Sequence, residues 1–244
     1  MRALLRPHPA GRPNEPEMLA AVRDDGRRRH NTLRQFAVIN RLFSRARALL
    51  DRRILADMRR SPARTYTLLD IGAGAGDLAV WTARRCRKLG LRVRITCLDG
   101  DAEVAAYARR ACRPFPDITV MHKDAFAIDA LPKFDYAFSN HFLHHVETER
   151  LPDFLRLVRR RTKRLFLMND VRRSSLSYAG YSLFALVFLR HSFHFHDGRA
   201  SIRQAFRHDE LAAAVQAGLP PGEAVVRRLA PSRIYVLGGP YRRA

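Results

Sequence analysis

The ten residues Leu68-Leu69-Asp70-Ile71-Gly72-Ala73-Gly74-Ala75-Gly76-Asp77 leave the chain few folds to choose from. Tyr66-Thr67-Leu68-Leu69 is a short apolar run of strand type, and Leu78-Ala79-Val80-Trp81-Thr82-Ala83 opens a helical pattern. Strand, glycine loop and helix in that order bring an α/β backbone close to a ligand. Glycine serves because the turn leaving the strand needs unusual dihedrals and a Cβ would block the approach. A dinucleotide fingerprint requires its third glycine at position 77, where this chain has Asp77. Asp70, two residues before the first glycine, would repel a pyrophosphate and suits a positively charged ligand.

The following segments agree. Arg92-Val93-Arg94-Ile95-Thr96-Cys97-Leu98 alternates as a strand and ends at Asp99, placed to hydrogen-bond vicinal ribose hydroxyls. Asp101 reads as the N-cap of a helix over Ala102–Cys112. Ile118-Thr119-Val120-Met121 is a third strand, followed by Asp124-Ala125, and Phe134 to Asn140 is a fourth.

The pattern Asp-x-Gly-x-Gly-x-Gly resembles motif I of class I S-adenosylmethionine-dependent methyltransferases. That resemblance implies a Rossmann-like α/β fold, with a seven-stranded, mostly parallel sheet of order 3-2-1-4-5-7-6. It also implies an N-terminal helical lid and an inserted helix after strand 5. S-adenosyl-L-methionine is the implied cofactor. Asp70 would lie near its amino group, with the backbone of Gly72, Gly74 and Gly76 along the methionine moiety. Asp99 and Gly100 fall at the ribose, Asp124 and Ala125 at the adenine, and Asn140 beside the transferred methyl.

Composition limits the alternatives. The chain has 244 residues, enough for one α/β domain with a buried core. A formal charge of +22 invites a nucleic-acid or anionic-membrane reading. Lysine occurs only at 88, 123, 133 and 163, so the charge is nearly all arginine, as a GC-rich coding sequence would give. Cys86, Cys97 and Cys112 have neither metal nor disulfide spacing and read as buried thiols of a cytoplasmic protein. Residues 1–16 are rich in Pro and Arg without an apolar h-region and read as a loose tail rather than a signal peptide.

Residues 17–60 are helical in pattern, with Leu33, Phe36, Ile39, Phe43, Ala46 and Leu50 on one face; closed by Ser61-Pro62, residues 17–62 read as the lid. Residues 63–244 form the cofactor-binding domain, with residues 171–210 an acceptor-side insertion. Ser174–Leu189 is a helix candidate apolar nearly all round: core, the wall of a hydrophobic acceptor pocket, or a face for peripheral membrane contact. Its uncharged run from Leu176 to Leu189 is too short to span a bilayer. Tyr178, Tyr181, His194 and His196 are its candidate acceptor contacts; His191 to Gly198 reads as a loop, and Phe206–Ala217 as a helix stopped by Gly218. Ala224–Leu229 and Arg233–Leu237 read as a closing antiparallel hairpin.

Methyl transfer to a phenol benefits from a base. His141, His144 and His145 follow Asn140 directly, and on a helical turn all three would share a face. Ubiquinone-pathway O-methyltransferases carry an acidic-x-x-acidic-His stretch at this point. That stretch can hold a divalent cation; histidines stand in the acidic places here, which would favour a softer metal such as zinc over magnesium, and no metal is assigned. Softer matches, among them Ser139-Asn140-His141-Phe142-Leu143-His144-His145 and Asp170-Val171-Arg172-Arg173-Ser174, resemble small bacterial methyltransferases encoded beside type III polyketide synthases. They imply O-methylation of an apolar small molecule: a resorcinolic or quinonoid polyketide, or an isoprenoid quinone-type ring. An RNA methyltransferase using the arginine surface and a silent cofactor-binding protein are the alternatives, though no nucleic-acid-binding module is visible.

Overall fold

The computed structural model describes residues 31, 32, 35, 40, 43–188 and 194–240. The expected tail over 1–16 lies outside them, as does most of the expected lid over 17–62.

Strands β1 (Thr65–Ile71), β2 (Arg92–Asp99), β3 (Ile118–His122), β4 (Phe134–Asn140), β5 (Thr162–Val171), β6 (Ala224–Leu229) and β7 (Arg233–Gly238) form one sheet. Its order is β3-β2-β1-β4-β5-β7-β6, as the resemblance implied. Pairing is parallel from β3 across to β5, and β7 runs antiparallel to both β5 and β6. The order reverses between β1 and β4, so the crevice of this doubly wound sheet opens beyond their carboxyl ends.

Helical cover comes from α1 (Ala46–Leu49, a π-turn segment Leu50–Leu55, then Ala56–Met58), α2 (Asp77–Lys88) and α3 (Ala102–Cys112). Further along are α4 (Leu151–Arg161), α5 (Ser175–Phe188), α6 (His194–Gln204) and α7 (His208–Gly218). The period-two alternation of the strands sorts side chains into two cores. Leu68, Leu167, Tyr235 and Leu237 face α1 and α2, meeting Ile54, Leu55, Leu78 and Ala83. Leu69, Ile71, Phe166, Met168, Ile234 and Val236 face the other way, onto Phe154, Leu155, Val158 and Leu211 of α4 and α7. All seven residues of β4 are buried because helices cover both faces.

Three local expectations need correction. The helix read through residues 17–60 is interrupted: Arg45 is left-handed at φ 56°, α1 starts only at Ala46, and Phe43 is 37% exposed rather than on a buried face. Residues 194–198, read as a loop, begin α6. Gly198 sits beneath Tyr181, where a Cβ would lie 2.2 Å from the ring hydroxyl, so it is a point of close helix packing. Val171, Tyr178, Ile202 and Ala205 bury together there, and that packing supports the helix. Finally, α7 begins at His208, because Phe206 is committed to the core and the Arg207 N–H is held by Glu210 Oε2 at 2.8 Å. Among the described residues no helix is long and apolar enough to cross a membrane.

Candidate active site

The loop after β1 is tied to its neighbour: the N–H groups of Gly72 and Ala73 donate to Leu98 O at 2.8 and 3.0 Å. Gly72 is at φ +66°, and a Cβ on it would meet the Phe142 ring at 2.6 Å. Asp99 Oδ2 accepts from the Gly74 N–H at 2.9 Å and its Oδ1 from the Asp101 N–H at 3.0 Å, fastening the tip of β2 to the glycine loop. Asp101 caps α3 through the N–H groups of Glu103 and Val104.

Two adjoining cavities follow. One, of about 250 Å³, is lined by residues that include Asp70, Gly72, Gly74, Asp77, Asp99, Gly100, Asn140 and His141. The other, of about 230 Å³, lies against Asp124, Ala125, Phe126, Glu147 and Arg150. Gly72, Gly100, Phe142 and His145 border both. Asp124 caps the 3-10 turn Ala125–Ala130 by accepting from the Phe126 N–H at 2.7 Å.

The first cavity is acidic. Burial, with Asp77, Cys112 and Asp99 nearby, pushes the Asp70 carboxyl up to about 8. Burial also raises Asp77 and Asp99. Asp77 Oδ1 accepts from Asn40 Nδ2 at 3.0 Å, while Oδ2 is buried without a partner. Three carboxylates in one cleft are costly unless a cation joins them.

Beyond Asn140 the wall is a different kind of network. Asn140 Oδ1 accepts from Asn169 Nδ2 (2.7 Å) and Arg233 Nη2 (3.2 Å), which leaves its amide nitrogen to donate to Asn40 Oδ1 at 2.9 Å. Asp170 accepts from the His144 backbone N–H and from Nδ1 of the same residue, both at 2.9 Å. A carboxylate only accepts, so His144 Nδ1 carries a proton. Burial alone would raise Asp170. The charge and hydrogen bond of His144, with His141 and Arg233, outweigh it and hold the carboxyl well below its usual range. Arg233 is 3% exposed, and burial brings it down to about 10 against the pull of Asp170.

The three histidines do not share a helical face. His141 is left-handed at φ 58°, and only Leu143–His145 forms a 3-10 turn. They still cluster: ring centroids lie 6.4 Å apart for His141 and His144, and 4.2 Å for His144 and His145. His144 is buried, whereas His141 and His145 line the cavity. The acceptor-side candidates are elsewhere. The hydroxyl of Tyr178 accepts from Arg199 Nε (2.7 Å) and Arg203 Nη1 (3.0 Å); Tyr181 covers Gly198; the half-exposed His196 faces Asp197. None of Tyr178, Tyr181 and His196 borders either cavity, and the side chain of His194 lies outside the described residues. Sequence reasoning missed Asn40, Asn169, Asp170 and Arg233 as site residues. The one signal was position: Asn169 pairs with Asn140 across β5 and β4, and Arg233 with Val171 across β7 and β5.

A family model described as "Methyltransferase domain" matches residues 68–164. The family model covers less than half of the chain, and the sheet order is that of the class I methyltransferase fold. Among solved structures, this fold is similar to the plantazolicin methyltransferase BamL, crystallised with a desmethyl analogue and SAH, at 13% identity and TM-score 0.65 over 90% of this chain and 92% of that one. It is similar to a SAM-dependent methyltransferase from Aquifex aeolicus at 17% identity and TM-score 0.53, over 78% and 92% of the two chains. A third is the magnesium protoporphyrin IX methyltransferase of Synechocystis PCC 6803 with bound SAH, at 11% and 0.53, over 77% and 80%. No curated protein sequence matches this chain.

Proposed function

We propose that the protein transfers a methyl group from S-adenosylmethionine to a hydroxyl of an apolar small molecule, with phenols and hydroxyquinones as the acceptor class. The observation that carries this reading is the excess acidity of the cleft: Asp70 raised to about 8 beside a buried, partnerless Asp77 oxygen, with Arg47 pulling on Asp77 only in part. A ligand bearing an ammonium and a sulfonium supplies the missing counter-charge. Asp70 and Asp77 would hold that charged end and Asp99 the ribose, since each carboxylate retains acceptor capacity beyond its present bonds. Asp124, Ala125 and Phe126 would border the adenine in the adjoining cavity. When bound, the cofactor supplies an electrophilic methyl group.

The chain's own part is to orient the acceptor, exclude water and take a proton. His141 borders the cleft with a side chain 21% exposed, and its Nδ1 is 3.9 Å from Asp170 Oδ1. We assign it as the base. His144 holds Asp170 in place behind it, and His145 stands on the cavity rim. A hydroxyl acceptor fits a site that offers an imidazole backed by a carboxylate.

Assay of S-adenosylhomocysteine formation against a panel of alkylresorcinols and hydroxyquinones tests this reading. Turnover is expected, and Asp70→Ala should reduce it by at least about 100-fold. Cofactor binding without methylation of any panel member would remove the acceptor class.

A second reading has one observation in its favour. Arg47, Arg84, Arg85, Arg87, Lys88 and Trp81 line an open groove of about 590 Å³ along α1 and α2, a basic surface with an aromatic in it. RNA binding there would weaken steeply with salt, and salt-insensitive or absent binding disposes of it.

A further inference from the structure

We propose that Arg233 is a positioning residue that keeps His141 neutral, so that the imidazole can accept the acceptor's proton; this rests on the assignment of His141 as the base. Arg233 Nη1 lies 3.0 Å from His141 Nε2 and 3.4 Å from Nδ1. Nearly equal distances to both nitrogens set the guanidinium nitrogen over the ring face rather than in line with either lone pair. An imidazolium in this place would set two positive charges about 3 Å apart against a buried guanidinium, where Coulomb repulsion is poorly screened.

Arg233 cannot swing away cheaply. It is 3% exposed, its Nη2 donates to Asn140 Oδ1 at 3.2 Å, and its Nε is buried with no partner. The same guanidinium therefore fixes two cleft residues at once: the amide of Asn140, turned so that its nitrogen donates, and the protonation state of His141.

Among the described residues, other charged and titratable groups face His141 from several elements. From β5 comes Asp170, with Oδ1 at 3.9 Å, already engaged by His144 and by the Val171 N–H. From its own turn come His144, at 6.4 Å between centroids, and His145 stacked on that ring. Across the cavity are Asp70, Asp77 and Asp99. Arg233 is the one cation among these described neighbours in hydrogen-bond reach of the ring. Asp170 pulls in the opposite direction from a longer distance. The pair leaves the resting imidazole neutral and gives the imidazolium a carboxylate to turn towards. In the transfer, the hydroxyl proton moves to an in-plane lone pair of the ring, and solvent takes that proton after product leaves.

The test is a pH titration of the His141 ring by NMR, assigned by its loss in His141→Gln, alongside the pH dependence of kcat. In Arg233→Gln the midpoint should move up by about one pH unit, and the acidic limb of kcat with it. Arg233→Lys, which keeps the charge, should stay within a few tenths of a unit of the wild type, by about the same reckoning. In Asp170→Asn Arg233 acts alone, and the midpoint should fall. A merely structural arginine predicts uniform loss of kcat at every pH with the titration unmoved, and that result overturns the proposal. So does a midpoint that stays or rises in Asp170→Asn, whether or not Arg233→Gln folds. The NMR arm needs no methyl acceptor, so failure of the acceptor panel is distinguishable from failure of this inference.

Discussion

Asp70 and Asp170 stand at the carboxyl ends of two strands of the same sheet and are equally sealed, at 4% and 2% exposure. Their environments drive them in opposite directions. Asp70 sits among other acids and is pushed up to about 8. Asp170 has His144 against it and Arg233 nearby, and is held down. Burial is common to both and so explains neither difference; the counter-charge does. On one side of Asn140 the cation is built into the chain. On the other, Arg47 and His122 reach Asp77 and Asp99 but no cation is set against Asp70, and that charge is left for a ligand to bring. A binding site and a scaffold can therefore be told apart by whether buried charge is balanced from within.

The largest effect should follow from breaking the internally balanced side. Asp170→Ala leaves Arg233 buried without its carboxylate and His144 Nδ1 without an acceptor. It should cost about 3–5 kcal/mol of stability, read by denaturant unfolding. Asp170→Asn, which keeps an acceptor for His144, should lose roughly half as much.

Next comes the unbalanced side, where removing the acid should do the reverse. Asp70 has a folded value of about 8 against an ordinary 3.8, so the folded state holds the extra proton between those values. Stability of the ligand-free protein therefore falls as pH rises from about 4 towards 8, and Asp70→Asn should flatten that slope, leaving it more stable at pH 8 by on the order of a few kcal/mol. Asp170, held low, contributes stability that is present above its unfolded value and lost as pH falls below it. The two acids should thus oppose each other in one Tm-against-pH curve. Calorimetry with S-adenosylmethionine should show affinity rising with pH up to about 8 in the wild type, and losing that dependence in Asp70→Asn.

The smallest effect belongs to Asp99→Ala, which strips a shared acceptor from the Gly74 and Asp101 N–H groups. About 1–3 kcal/mol of stability should go, with weakened cofactor binding as the accompanying readout.

These two sides also differed in how far they could be read from the chain. The acidic cleft is local: Asp70 lies within the glycine stretch and Asp99 ends an alternating strand, so spacing located both, whereas Asp124, in the adjoining cavity, came from the resemblance. The α/β core was legible for the same reason, through period-two runs ending in glycine or acid. The balanced network is not local. Asp170 meets His144 across 26 residues, Arg233 meets Asn140 across 93, and Asn140 meets Asn40 across 100. No periodicity encodes such pairs. His141 misled in a further way, since its left-handed backbone breaks the helical turn on which a shared face depended. In α6 the error was to read residues 194–198 as loop, when the missing side chain of Gly198 admits Tyr181.

The antiparallel insertion of β7 between β5 and β6 carries a consequence for how the molecule is assembled in time. By the point at which β1 to β5 have left the ribosome, every residue of the glycine loop and its acids has been synthesised. Arg233, from a strand made some sixty residues after Asp170, has not. A nascent chain can thus complete the ligand-facing half first and must wait for its final hairpin to neutralise the other.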